Sequence, residues 1–99
     1  MQAFYADSFD REMGCTDKEW LGWLPQAMGQ HPYKMVAQAL TATIDSGQLT
    51  LSWRVGEPRV IALARIPRLL VSFRFSGLDD VQRYRFMKRF DLYMQRGGG

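Results

Sequence analysis

Two different spacings of apolar residues divide the chain into helical and extended regions. Near both ends, apolar residues recur every three or four positions, which is typical of amphipathic helices. Thr16 and Glu19 form a capping-box pattern that marks a helix start, so we predict helices over about 16–28 and 78–96. Their apolar positions are Trp20, Leu21, Trp23, Leu24 and Met28 in the first helix, and Phe86, Met87, Phe90, Tyr93 and Met94 in the second. Pro25 should end or kink the first helix near Leu24.

Between residues 48 and 76 the period of the apolar residues changes to two, which indicates half-buried strands. Strands are predicted over 48–55, 59–66 and 68–75, with Gly56-Glu57-Pro58 as a hairpin turn. Asp45-Ser46-Gly47 has the composition of another turn. Residues 33–44 fit either a short helix or a strand, and both alternatives stay open.

These elements predict a single α+β domain over residues 1–99. Short hairpin connections favour an antiparallel sheet of three or four strands, and an N-terminal and a long C-terminal helix on one face complete a two-layer sandwich. Residues 1–15 are polar apart from a few aromatics and form an arm that either docks on the domain or frays. Residues 97–99 are glycines, for which we expect a flexible tail.

The phase of the strand alternation predicts which face of the sheet the helices cover. We expect the covered face to hold Leu49, Leu51, Trp53, Val55, Leu69, Val71, Phe73 and Phe75. The open face would then hold Thr50, Ser52, Arg54, Arg59, Arg65, Arg68, Ser72 and Arg74. A register error of one residue would exchange the two faces.

Composition narrows the class of protein. The 99 residues are 46% apolar and 13% aromatic, which excludes intrinsic disorder. No run of apolar residues approaches the roughly 18 needed to span a membrane. The one cysteine cannot form an internal disulfide. We therefore expect a small cytoplasmic domain without a membrane span.

The charge is unevenly divided between the two halves of the chain. Residues 1–50 contain three basic and six acidic residues, whereas residues 51–99 contain ten basic and four acidic ones. Nine of those ten are arginine, whose planar guanidinium suits carboxylates and phosphates. The basic half either binds an anionic partner or docks on the acidic half of its own chain.

Catalysis has little support in the sequence. Cys15 is the only cysteine and His31 is the only histidine, so they form the one candidate pair of nucleophile and base. They flank the first predicted helix. One cysteine and one histidine cannot supply a structural zinc site, and no glycine-rich phosphate-binding motif is present. We expect a protein that is not an enzyme, with no metal and no cofactor, and a half-buried Cys15.

Two binding hypotheses remain. The first is an anionic partner, nucleic acid or another polyanion, bound by clustered basic residues of the sheet and the second helix. Its candidate residues are Arg54, Arg59, Arg65, Arg68, Arg74, Arg85, Lys88 and Arg89. The alternative is a protein–protein interaction module or a homodimer that presents Trp20 and Trp23. Adsorption of the basic helix on a membrane is less favoured, because Val81 and Leu92 fall inside its basic stripe rather than beside it.

Overall fold

A computed structural model describes residues 4–96 of the chain. Within them lie seven strands and two helices: β1 (Ser8–Met13), α1 (Asp17–Met28), β2 (Tyr33–Val36), β3 (Ala39–Ile44), β4 (Gly47–Val55), β5 (Arg59–Ile61), β6 (Ala64–Ile66), β7 (Leu69–Ser76) and α2 (Asp80–Arg96). Five strands form an antiparallel sheet in the order β1-β7-β4-β3-β2, and β5 and β6 pair only with each other as a separate hairpin. The α+β class is confirmed, with more strands than predicted.

Three strands of the main sheet come from two segments whose pattern was ambiguous. Ser8–Met13, in the expected N-terminal arm, pairs with β7 along its whole length. Residues 33–44 form the β2–β3 hairpin, which reverses at Ala37 with a φ of 52°. Left-handed backbone at alanine is unusual. No glycine or asparagine marks this turn in the sequence.

The predicted single strand 59–66 is wrong, because the chain reverses in its middle. Ala62 has a φ of 53°, and a two-residue turn at Ala62 and Leu63 pairs Arg59 with Ile66. The turn carries no glycine, asparagine or proline, the residues that usually mark one. The reversal takes Arg59 and Arg65 off the predicted open face and into the hairpin, and Arg68 lies between the hairpin and β7.

Both helices cover one face of the sheet, as predicted. The Trp20 ring of α1 packs against Trp53 of β4 and Phe90 of α2 at centroid distances of 5.6 and 6.0 Å. Phe90 also contacts Phe73. The covered face is buried at Leu49, Leu51, Trp53, Leu69, Val71, Phe73 and Phe75. Val55 is the exception and is exposed, because it lies where β4 leaves the sheet.

The first helix begins and ends where the pattern predicts, but Pro25 does not end it near Leu24. The Glu19 amide donates to Thr16 Oγ1 and the Thr16 amide donates to Glu19 Oε1, at 3.1 and 2.9 Å, which is the capping box. The helix continues through Pro25 to Met28. The expected break is wrong because Leu24, Ala27 and Met28 are fully buried, and this packing holds the last turn despite the missing hydrogen bond.

One end of the β4–β7 pair is closed by glycine. A Cβ on Gly47 would overlap the carbonyl oxygen of Ser76 and lie 2.7 Å from the carbonyl carbon of Gly77. The predicted turn at Asp45-Ser46 delivers the chain into this contact, with Asp45 at a φ of 51°. The two strands are therefore locked together at this end by their backbones.

Candidate functional site

The carboxylates of β1 face the arginines of the second half across the open side of the sheet. Arg74 lies 3.3 Å from Asp10, and Arg68 lies 3.0 Å from Glu12. Arg59 reaches the other oxygen of Glu12 at 2.9 Å. Hydrogen bonds from Arg68 hold the pKa of Glu12 below its usual value, and hydrogen bonds from Ser72 and Arg74 do the same for the pKa of Asp10.

Three further arginines connect different parts of the fold through their side chains. Arg11 forms an ion pair with Asp91 at 2.5 Å and lies 5.2 Å from the centre of the Phe73 ring. Arg83 donates to the carbonyl oxygens of Tyr5 and Leu78. Arg89, one of the predicted binding residues, lies over the Tyr93 ring and beside the end of α1. These guanidiniums are occupied with internal contacts.

Three arginines of the basic half therefore pair with carboxylates of the acidic half of the same chain. Among residues 4–96, four of the predicted binding residues have neither an ion pair nor a side-chain hydrogen bond: Arg54, Arg65, Arg85 and Lys88. Arg85 and Lys88 are exposed on the outer side of α2. Arg54 and Arg65 lie at the end of the sheet where β4 leads into the hairpin.

The open face is a shallow groove of about 600 Å³ rather than a basic plane. The strand register places Glu12, Leu70 and Arg54 in one row across it, and Asp10, Ser72 and Ser52 in the next. A phosphate chain lying along this groove would meet both carboxylates. The centre of the sheet is therefore a poor anion site. Arg54 and Arg65 lie toward the end of the sheet that leads into the hairpin, whereas Arg85 and Lys88 lie on α2.

That end carries four arginines, Arg54, Arg59, Arg65 and Arg68, which we call the hairpin-end cluster. Arg68 donates to the carbonyl oxygen of Glu57 as well as to Glu12. Arg59 keeps more than half of its side chain exposed despite its ion pair. Glu12 and Glu57 are the carboxylates of this region, and the chain contains none between residues 58 and 78.

The hairpin also exposes a group of apolar side chains, which we call the hairpin tip. Leu63 is fully exposed, and Val60 and Ile61 are 64% and 55% exposed. Ile66 is also exposed. These residues were expected to lie in a half-buried strand of the sheet, over 59–66. The signal that could have identified them is that both alternating sets of residues in 59–66 contain apolar side chains. A strand with one face exposed to water needs apolar side chains on the other face only.

Of the two tryptophans proposed for protein interaction, Trp20 lies in the core and Trp23 lies at its edge. Trp20 is completely buried, and Trp23 packs against the core with part of its surface exposed. Their spacing on one helix face was correctly identified, but that face points to the sheet. A partner surface built on Trp20 has no support.

The geometry separates Cys15 from His31. They flank the twelve-residue helix α1, so their backbones are about 18 Å apart or more. The His31 ring contacts Phe86. Cys15 is buried, and burial raises the pKa of its thiol to about 11, with help from the charges of Glu19 and Asp17. Within residues 4–96, no three His, Cys, Asp or Glu side chains group as metal ligands would.

Comparisons with models of protein families, with curated proteins and with solved structures give no match for this chain. In the part of the chain that the structure describes, neither helix is long and apolar enough to cross a membrane. The features of the molecule that bear on its function are the hairpin-end cluster, the hairpin tip and the groove beside them.

Proposed function

We propose that this protein is a non-enzymatic binding domain that holds a phosphate-bearing partner with its hairpin-end cluster. The observation that carries the proposal is that, within residues 4–96, Arg54 and Arg65 have no carboxylate partner while other arginines of the sheet are paired. Guanidinium groups bind phosphate oxygens with two parallel hydrogen bonds. Two unpaired guanidiniums, together with the exposed Arg59 and the half-buried Arg68 of the same cluster, suit a partner with several phosphates.

The surroundings of the cluster support an anion rather than a cation. The hairpin contributes no carboxylate between residues 58 and 78, and Glu12 is already shared by Arg59 and Arg68. The groove beyond the cluster contains Asp10 and Glu12, so the anion is expected at the end of the sheet and not across it. This narrows the original set of candidate residues to Arg54, Arg59, Arg65 and Arg68.

A protein partner is the second candidate function, and the exposed hairpin tip is the observation that favours it. Exposed Val60, Ile61 and Leu63 are apolar residues that a protein groove could cover. A homodimer through the tip is one form of this candidate. It differs from the original interaction hypothesis because it does not use Trp20 or Trp23.

The test is a binding titration with single-stranded RNA and with inorganic polyphosphate, followed by fluorescence anisotropy at several salt concentrations. The Arg54→Gln/Arg65→Gln variant should bind about tenfold more weakly. Two lost phosphate contacts should also reduce the slope of log affinity against log salt by about 1.4 for a single strand. Both side chains are exposed, so the variant should fold like the original chain.

The matched control is Arg85→Gln/Lys88→Gln, which removes the same charge from the outer side of α2. It should leave most of the affinity in place. Equal losses in the two variants would mean that net charge alone attracts the polyanion, and binding of neither probe at low salt would refute the proposed function. A larger loss in the α2 variant would move the site to the helix.

A further inference from the structure

We propose that the phosphate-bearing partner is the surface of a membrane that contains anionic lipid, and that the hairpin tip inserts into it. This inference rests on the proposed function and specifies the source of the phosphates. It adds an observation that the arginines alone do not explain: apolar side chains project from the same hairpin that carries uncommitted positive charge.

The apolar residues are distributed on both sides of the hairpin. Consecutive residues of a strand point to opposite faces, so Val60 and Ile61 lie on opposite faces of the hairpin. Directly paired residues share a face, so Arg65 lies on the face of Val60 and Ala64 lies on the face of Ile61. Leu63 lies at the turn and is fully exposed. A flat protein surface would cover one of these faces, whereas the interfacial region of a bilayer surrounds the whole tip.

The length of the hairpin fits shallow insertion. Three residues separate the start of β5 from the turn, which corresponds to about 10 Å at the rise of a strand. Elements that bind in the membrane interface bury their apolar side by about 5–10 Å. In the described part of the chain, no further strand pairs with the outer edges of β5 and β6, and unsatisfied backbone groups of this kind are excluded from the hydrocarbon core. Insertion should therefore stop in the headgroup region.

The arginines are at the right level for lipid phosphates. Arg59 is at the base of the hairpin, and Arg65 lies two residues beyond the turn, from where its long side chain can extend back to the headgroups. Arg54 and Arg68 flank the base. With no carboxylate in residues 58–78 to repel anionic lipid, the charge and the apolar tip act on the same partner.

The experiment measures binding of the full chain to vesicles of phosphatidylcholine alone and of phosphatidylcholine mixed with phosphatidylserine, at physiological salt. Binding is expected only to the mixed vesicles. The Ile61→Ser/Leu63→Ser variant should lose about 10- to 100-fold in vesicle affinity, because both apolar groups are removed from the interface, while its affinity for RNA and polyphosphate stays within about twofold. The Arg54→Gln/Arg65→Gln variant should lose both kinds of binding.

The control variant is Val81→Ser/Leu92→Ser, which removes two exposed apolar side chains from α2 and should bind mixed vesicles like the original chain. Leu63→Ser alone is a second tip variant, because a fully exposed side chain contributes little to folding. It should show a smaller loss in the same direction.

Four results would overturn the inference. Equal vesicle binding by the original chain and the tip variant would mean electrostatic adsorption without insertion. Binding of RNA and polyphosphate but not of mixed vesicles would leave the proposed function and reject the membrane. A dimer in light scattering that the tip variant dissociates, with no vesicle binding, would identify a second copy as the occupant. Binding to none of the three probes would reject the proposed function together with the inference.

Discussion

The two ends of the β4–β7 pair are built in opposite ways. At the closed end, Gly47 and Gly77 bring the two backbones into direct contact. At the open end the strands separate after Gly56, whose amide donates to the Arg68 carbonyl oxygen, and the chain between them forms the β5–β6 hairpin. Backbone packing fixes the first end, and arginine–carboxylate contacts to Glu12 tie down the second.

The difference separates stability from recognition within one pair of strands. A backbone contact leaves nothing for a partner, and it tolerates no added atom. Side-chain contacts on an exposed surface contribute little to folding, and they can rearrange toward a partner. We therefore expect substitutions at the closed end to affect folding and substitutions at the open end to affect binding.

The largest expected effect comes from matched glycine substitutions at the two ends. Gly47→Ala places a methyl group against the carbonyl of Ser76 and should lower the free energy of unfolding by about 3 kcal/mol. Gly56→Ala meets the side chain of Leu70 at 3.3 Å, which can move, and Arg68 Cβ at an ordinary contact distance of 3.7 Å, so its cost should be below about 1 kcal/mol. Urea unfolding followed by tryptophan fluorescence measures both. Equal losses would contradict the proposed difference between the ends.

The next prediction concerns whether water reaches the part of the core beneath the open end. Cys15 follows β1 at this end, and burial raises the pKa of its thiol from 9.0 to about 11. The folded state therefore holds this proton more tightly than the unfolded state. The resulting stabilisation is complete below pH 9 and should be lost, by about 2 kcal/mol, as the pH rises through 11.

Unfolding measured between pH 7 and 11 checks this loss, with Cys15→Ala as the control that should lack it. Burial and the hydrogen bond to Asp91 raise the pKa of Tyr5 to about 12, so the control variant should still lose stability above pH 10. Rapid reaction of folded Cys15 with a thiol reagent at pH 8 would show that the site is wet.

A smaller effect concerns the carboxylate that ties the hairpin to β1. Arg68 and Arg59 lower the pKa of Glu12, so its contribution is present above the unfolded value of about 4.5 and is lost as the pH falls through the folded one. Glu12→Gln should remove that part of the acid sensitivity and release Arg59. Chemical shifts of the Arg59 side chain, followed by NMR between pH 7 and 3, report the release. An Arg59 signal that does not respond to the variant would mean that the ion pair contributes no order.

The covered face of the sheet was predictable because burial imposes a strict period of two on Leu49, Leu51 and Trp53, and because the capping box of α1 is a local signal. The turns at Ala37 and Ala62 were not predictable, since both carry alanine in a left-handed conformation that tertiary contacts impose. Missing those two turns concealed β2 and merged β5 with β6.

The candidate site was predictable only in composition. The excess of arginine in the second half was visible, but which guanidiniums are neutralised depends on β1 pairing with β7, a contact between segments about 60 residues apart. That pairing brings Asp10 and Glu12 to Arg74 and Arg68, whereas no carboxylate of residues 4–96 pairs with Arg54. An arm of uncertain structure offered no means of predicting it.

The smallest expected effect sharpens the comparison most directly. Leu63 is fully exposed at the hairpin tip, so Leu63→Ala removes no buried contact and should change the free energy of unfolding by less than about 0.5 kcal/mol. Thermal and urea unfolding of this variant beside Gly47→Ala give the two extremes of one scale. If Leu63→Ala instead destabilises the chain by more than about 1 kcal/mol, the tip is packed against the domain in solution and is not available to a partner. An unchanged stability leaves an exposed apolar residue that folding does not require and that a partner can cover.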